Sequence, residues 1–174
     1  MVILADKEET GSNGVTGMQS EAFDDLIAEI CRQFGANVAQ VRAASRCLSA
    51  DVAAAFDPSF PEVYETRNTA FINRGVTVCK YTGGGGKSGT SDATGEFVGW
   101  VRKLFDENKI TWQLAELGKI DQGGGGTVAV YIAKKNIDTI DVGVPVLSMH
   151  APYEAIATAD LYMTHLAFSA FAKA

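Results

Sequence analysis

Apolar and polar positions along the chain follow two rhythms, one of period two and one of period 3.6. A short apolar run at 1–5 reads as a strand. Over 19–34 the apolar residues Phe23, Leu26, Ile27, Ile30 and Phe34 fall at helical spacing, and Gly35 ends the run. A second strand is expected over 46–52, followed by Asp57-Pro58 and Phe60-Pro61, where neither element continues easily. Residues 76–81 alternate toward a strand. The span 91–108 predicts a helix opened by Ser91-Asp92, with Phe97, Trp100, Val101, Leu104 and Phe105 on one face. A strand over 111–117, a helix over 126–135, a continuous apolar strand over 140–149 and a helix over 158–171 complete the pattern; Leu161, Tyr162, Leu166, Phe168 and Phe171 stripe that last helix. Strands alternating with helices predict an α/β sheet flanked by helices, in one domain without internal repeats.

Composition narrows this picture. With 174 residues, 47% of them apolar, there is enough chain for a sizeable core. The 15 basic and 21 acidic residues give a net charge of −6, with no clustered Lys/Arg tract, which argues against nucleic acid as a partner. No apolar run reaches the roughly 18 residues that span a bilayer, and no secretory leader is recognisable, so the expectation is a soluble, cytoplasmic protein with no membrane partner. Cys31, Cys47 and Cys79 lack CxxC spacing and sit among apolar neighbours, as reduced core cysteines do.

In α/β sheets, ligands gather where loops leave the carboxyl ends of strands. Glu8 and Glu9 follow the first expected strand, Asp51 closes the second and His150 closes the long apolar one. Carboxylates and a histidine arriving at one rim suit zinc, which takes oxygen and nitrogen ligands in open sites, and of two adjacent acids one can ligate while the other acts as general base. The same residues also read as surface acids and a hydrogen-bonded histidine, and spacing alone leaves both readings open. His165 sits mid-helix, away from any strand exit, and reads as structural. Glu154, four residues after His150, is a candidate to orient it, or a plain surface acid. The tract YTGGGGKSG matches the end of a phosphate-binding loop, but Tyr81 stands where the first glycine belongs; a flexible loop before a helix is the expectation instead. DQGGGGT, leading into the helix at 126, reads as a tight joint that allows close backbone approach.

The phrases ADKEETGS, LSADVAAAFDP, NRGVTVCKYTGGGGKSGTSDA, ELGKIDQGGGGT and VLSMHAPYE, in this order and at this spacing, strongly resemble the M18 family of metallo-aminopeptidases over nearly the whole chain. The resemblance implies a three-layer α/β/α, zinc-peptidase-like catalytic domain with two zinc ions, cobalt or manganese being possible substitutes, that removes N-terminal residues from peptides. It makes Glu9 and His150 ligands of one metal, Asp51 a ligand of the other and Glu8 the catalytic general base. It puts the second glycine tract, including Gly124 and Gly125, beside the active site, where backbone and metal hold the substrate's amino end, and makes Lys80 a candidate for selecting the side chain removed. Whole-length members carry two further ligands upstream, a histidine in an H-x-D motif and a bridging aspartate, and an inserted dimerisation domain between them. The 174 residues contain two histidines and no H-x-D sequence, so the expectation is the C-terminal part of the catalytic domain, weak in metal binding and poor in catalysis by itself. Carboxylates crowded without cations are expected to raise one another's pKa values, and a sheet cut within its edge is expected to self-associate. A non-catalytic structural or assembly role is the alternative.

Overall fold

The structure is a computed structural model and describes residues 1–119 and 121–174. Its centre is a mixed five-stranded sheet. Strand β1 (Arg46–Ala54) pairs in parallel with β6 (Asp138–Leu147). On the other side of β6, β2 (Val76–Cys79) runs antiparallel, and it pairs in parallel with β5 (Trp112–Leu114); β7 (Ala155–Ile156) adds antiparallel to the end of β6. A separate hairpin of β3 (Tyr81–Gly84) and β4 (Ser88–Asp92) follows β2 directly.

Strand β6 explains the layering. It alternates Ile140, Val142, Val144 and Val146 with Thr139, Asp141, Gly143 and Pro145, and successive side chains of a strand point to opposite faces. Ile140 and Val142 meet Val76 and Val78 of β2 in a core completed by Phe97, Val98, Val101 and Phe105 of α3 (Gly95–Glu107) and Ala167 of α5 (Thr158–Phe171). The register sets Ser49, Asp141 and Cys79 in one row and Asp51, Gly143 and Thr77 in the next, so these residues share the second face. A smaller core of Met18, Ile132 and Ile137, with Phe23, Cys47, Val128 and Tyr131 packed against it, brings in α1 (Ala22–Gln33) and α4 (Ala129–Ala133). The α/β architecture, a sheet flanked by helices, is as expected.

Several expected elements differ in detail. Residues 1–5 form no strand, because the run finds no partner strand to bury its side chains: Met1, Val2 and Leu4 are exposed, and the first pairing is a single bridge between Asp6 and Gly17. Leu26, Ile30 and Phe34, expected to face the core, lie exposed on α1, whose one buried residue is Cys31. Ser91 and Asp92 belong to β4, and the cap of α3 is Thr94, whose hydroxyl accepts from the Phe97 N–H at 3.2 Å. The first glycine tract is not a flexible loop before a helix. It turns the β3–β4 hairpin, with Gly85 (φ +54°) and Gly86 (φ +72°) in the left-handed region that glycine tolerates. The helix expected over 126–135 is confined to α4, and the short helix α2 (Val38–Ala43), capped by Asn37, was not foreseen. Cys31, Cys47 and Cys79 are free thiols, two of them buried. No helix among the described residues is long and apolar enough to cross a membrane.

Candidate metal centre

Glu8 and Glu9 sit in a single turn of 3₁₀ helix, Glu8–Thr10, rather than at a strand end. The turn is held tightly. The Lys7 carbonyl accepts from the N–H groups of Thr10 (3.1 Å) and Ser12 (2.7 Å), and the Gly11 N–H donates to the Glu8 carbonyl (3.0 Å). The side chain of Gln19 donates to the Gly11 carbonyl at 2.7 Å, and the Tyr131 hydroxyl of α4 reaches the same oxygen at 3.4 Å, which ties the turn to the helix layer. A Cβ on Gly17 would lie 2.2 Å from the Ser12 carbonyl oxygen, so the loop closes only over glycine there.

Asp51 lies within β1, three residues before its end, and its Oδ1 accepts from the Val52 N–H at 2.7 Å. His150 lies three residues beyond β6 in a turn with φ of +66°, and its own N–H donates to Glu154 Oε1 at 2.6 Å. Glu154 therefore holds the His150 backbone, and the imidazole Nδ1 lies 4.0 Å from Glu9 Oε1. The expected strand-exit positions hold loosely for His150 and fail for the other three, yet the residues converge. Burial raises the Glu8 carboxyl above the ordinary carboxylate range, and the negative charges of Asp51 and Glu9 add to that while His150 opposes it. Burial likewise raises Asp51, with Glu9 adding and the Val52 N–H and His150 opposing.

The donor chemistry can be tested for a metal. Zn–O and Zn–N bonds of roughly 2.0–2.2 Å about a tetrahedral ion set two donors about 3.4 Å apart, so the Glu9–His150 separation of 4.0 Å must close by about half an ångström for the two to share a cation. Carboxylates held near one another above their ordinary pKa lack a counter-charge, which a cation supplies. Among the described residues no three His, Cys, Asp or Glu side chains gather closely enough to enclose an ion. The residues present fit a metal as part of a donor set that calls for three or four.

Sequence reasoning missed three acids nearby. Asp141, buried in β6, has its carboxyl pushed up to about 6 by burial, with Asp51 adding to the rise and hydroxyls of Ser49, Thr127 and Thr82 tempering it. Its signal was an Asp in phase with Thr139, Gly143 and Pro145, hidden by reading the strand as continuously apolar. Asp92 ion-pairs with Lys80 at the base of the hairpin, and the half-buried Glu116 beside them is pushed up to about 7 by burial, Lys80 opposing and Asp92 adding. The second glycine tract interlocks with the hairpin: the Gly85 N–H donates to the Gly123 carbonyl at 2.8 Å, and a Cβ on Gly124 (φ +89°) would lie 2.4 Å from the Gly83 carbonyl oxygen. Gly125 packs against Leu117 in the same place. His165 lies exposed on α5, stacked on Tyr162.

Comparison with known proteins follows the same lines. A family model described as aminopeptidase I zinc metalloprotease (M18) matches residues 1–172. A probable M18 family aminopeptidase 1 from Clostridium acetobutylicum is 47% identical over 175 residues, covering 98% of this chain and 38% of the relative. The crystal structure of an M18 family aminopeptidase from Thermotoga maritima superposes with a TM-score of 0.90 at 40% identity, over 95% of this chain and 38% of that one. The S. cerevisiae mApe1 dodecamer matches with a TM-score of 0.78 at 26% identity, over 98% of this chain and 37% of that one. The chain thus spans 38% of the length of the Clostridium relative. On sequence and fold together, the chain belongs to the M18 family of peptidases.

Proposed function

We propose that the protein carrying this chain is a metal-dependent aminopeptidase with two zinc ions, one held by Glu9 and His150 and the other by Asp51, and with Glu8 as general base. The observation that carries the reading is the approach of Glu9 to His150, 4.0 Å, beside two further carboxyl groups whose pKa values are raised. Zinc, when bound, acidifies water and polarises a peptide carbonyl, and cobalt or manganese suit the same oxygen and nitrogen donors. Glu8 takes a proton from the attacking water and returns it to the departing amine; its raised pKa brings it nearer to neutrality, where such a relay works best. Two donors at one ion and one at the other fall short of the three or four that zinc calls for, so this chain by itself is expected to bind zinc weakly.

The peptide substrate enters at the joint between the hairpin and the second glycine tract. There the backbone of Gly124 and Gly125 borders the free amino end, and Lys80, with Asp92 and Glu116 beside it, meets the first side chain. Association into a homo-oligomer is supported by the dodecamer of the yeast relative and by the exposed apolar side chains of α1.

The test measures zinc content and release of N-terminal residues from peptides, using this chain alone and together with a separately supplied upstream segment of the family. Turnover is expected only on complementation. In the complemented protein Glu8→Gln should abolish turnover and leave the metal bound. Retained turnover in that variant refutes the role of Glu8, and bound zinc without any peptidase activity in the complemented wild type supports a structural or assembly role instead.

A further inference from the structure

Residues 148–154 join the end of β6 to β7 and carry His150. The loop is closed at its base, because β7 folds back antiparallel on β6 with Leu147 opposite Ala155 and Val146 opposite Ile156. Within it the Ala151 N–H donates to the Ser148 carbonyl at 2.9 Å. Ser148 (φ +60°) and His150 (φ +66°) both lie in the left-handed region, which costs free energy for any residue with a Cβ. Such a conformation persists only where the surroundings hold it. Packing does little of that holding, because the His150 side chain is 67% exposed.

One side chain supplies the hold. Glu154, the last residue before β7, accepts from the His150 N–H through Oε1 at 2.6 Å, a bond that its negative charge strengthens. The imidazole Nδ1 lies 4.0 Å from Glu9 Oε1. Sharing one ion requires these two donors to come about half an ångström closer, so a small rotation of the turn the wrong way puts them out of reach of each other's ion. Freed of Glu154, the turn can relax toward the commoner conformations with negative φ. Any such change redirects the Cα–Cβ bond of His150, and the ring moves with it.

We propose that Glu154 is a positioning residue for the metal: by holding the His150 N–H it fixes the left-handed turn from which the imidazole reaches the ion, and it does so without touching the ion itself. The inference rests on the proposed sharing of one cation by Glu9 and His150. Outer partners of metal-binding histidines usually grip the second ring nitrogen. Here the grip is on the main chain, so it sets where the side chain starts rather than how the ring turns. Removing an outer partner costs roughly tenfold to a hundredfold in metal affinity, and a loss of that size is expected.

The test is the zinc affinity of the complemented protein, measured by competition with a fluorescent zinc chelator and so independently of turnover. Glu154→Ala should bind zinc roughly tenfold to a hundredfold more weakly than wild type. Glu154→Gln, which keeps an acceptor oxygen in place, should recover most of the lost affinity. Glu154→Asp, one methylene short, should fall between the two and serves as the milder variant should Glu154→Ala fold poorly. In a His150→Ala background the same substitutions should weaken zinc binding no further, because Glu154 acts only through His150. Unchanged affinity in Glu154→Ala, with a loss in His150→Ala, overturns the inference and leaves the shared-metal reading intact. An equal loss in both backgrounds overturns it too, since the effect then does not pass through His150. No loss in His150→Ala refutes the shared-metal reading, and this inference with it.

Discussion

Asp160, in the first turn of α5 at 1% exposure, holds the loop that leads into β2. Its Oδ1 accepts from the Gly75 N–H at 2.7 Å and its Oδ2 from the Asn73 N–H at 2.6 Å, immediately before β2 begins. That loop has no easy alternative shape: Asn73 and Gly75 both have positive φ, and a Cβ on Gly75 would lie 2.1 Å from the Thr111 carbonyl oxygen. Asp160→Ala leaves the buried Gly75 N–H and the part-buried Asn73 N–H without their acceptor. Hydrogen bonds to a charged group are worth about 1.5–3 kcal/mol each, so the loss comes to roughly 3–6 kcal/mol. With a urea slope of about 2 kcal/mol/M, the unfolding midpoint should fall by roughly 2 M. Asp160→Asn, which keeps one acceptor oxygen, should fall between wild type and Asp160→Ala. A midpoint lowered by less than about 0.5 M in Asp160→Ala, under 1 kcal/mol on the same slope, would refute the tie between α5 and β2 as a major source of stability.

Two further substitutions probe the sheet beneath the candidate centre. A Cβ on Gly143 would fall 1.6 Å from the Asp51 carbonyl oxygen, so Gly143→Ala must part β1 from β6 and should cost at least about 2 kcal/mol; unchanged hydrogen-exchange protection of β1 amides in that variant would contradict the pairing. Asp141 gives a pH dependence of definite sign. Its folded pKa, pushed up to about 6, stands above the unfolded carboxylate value of about 3.9, so its contribution to stability is full below about pH 4 and is lost as pH rises through about 6. The difference in urea midpoint between wild type and Asp141→Asn should shift toward the variant across that interval; a constant difference would show that Asp141 titrates normally.

How much of this was legible in the sequence depended on how local each cause is. The helix at 158–171 and the strand at 46–52 were recognisable from short-range spacing, and β1 extends the latter by two residues. The run at 1–5 has the composition of a strand, but a strand needs a partner, and apolar composition does not supply one. Asp141 was passed over because valine and isoleucine on the opposite face masked its alternation with Gly143, and only the register with Ser49 and Cys79 brings out the polar face. The hairpin at 81–92 looked like a loop because glycines carry no side-chain pattern; its pairing with the second glycine tract is a backbone matter. For the centre itself, Glu8, Glu9, Asp51 and His150 could be picked out as residue types suited to metal chemistry, whereas their convergence comes from a 3₁₀ turn and a left-handed turn that periodicity does not encode.

The central claim, that Glu9 and His150 grip one cation between them, is tested most directly by a calorimetric zinc titration of the complemented protein and of its Glu9→Gln, His150→Ala and double variants. If both side chains hold the same ion, each single substitution should remove nearly all the binding lost in the double variant, so that the effects are strongly non-additive. Binding that is unchanged in either single variant, or losses that simply add, would mean that the two residues do not share a metal.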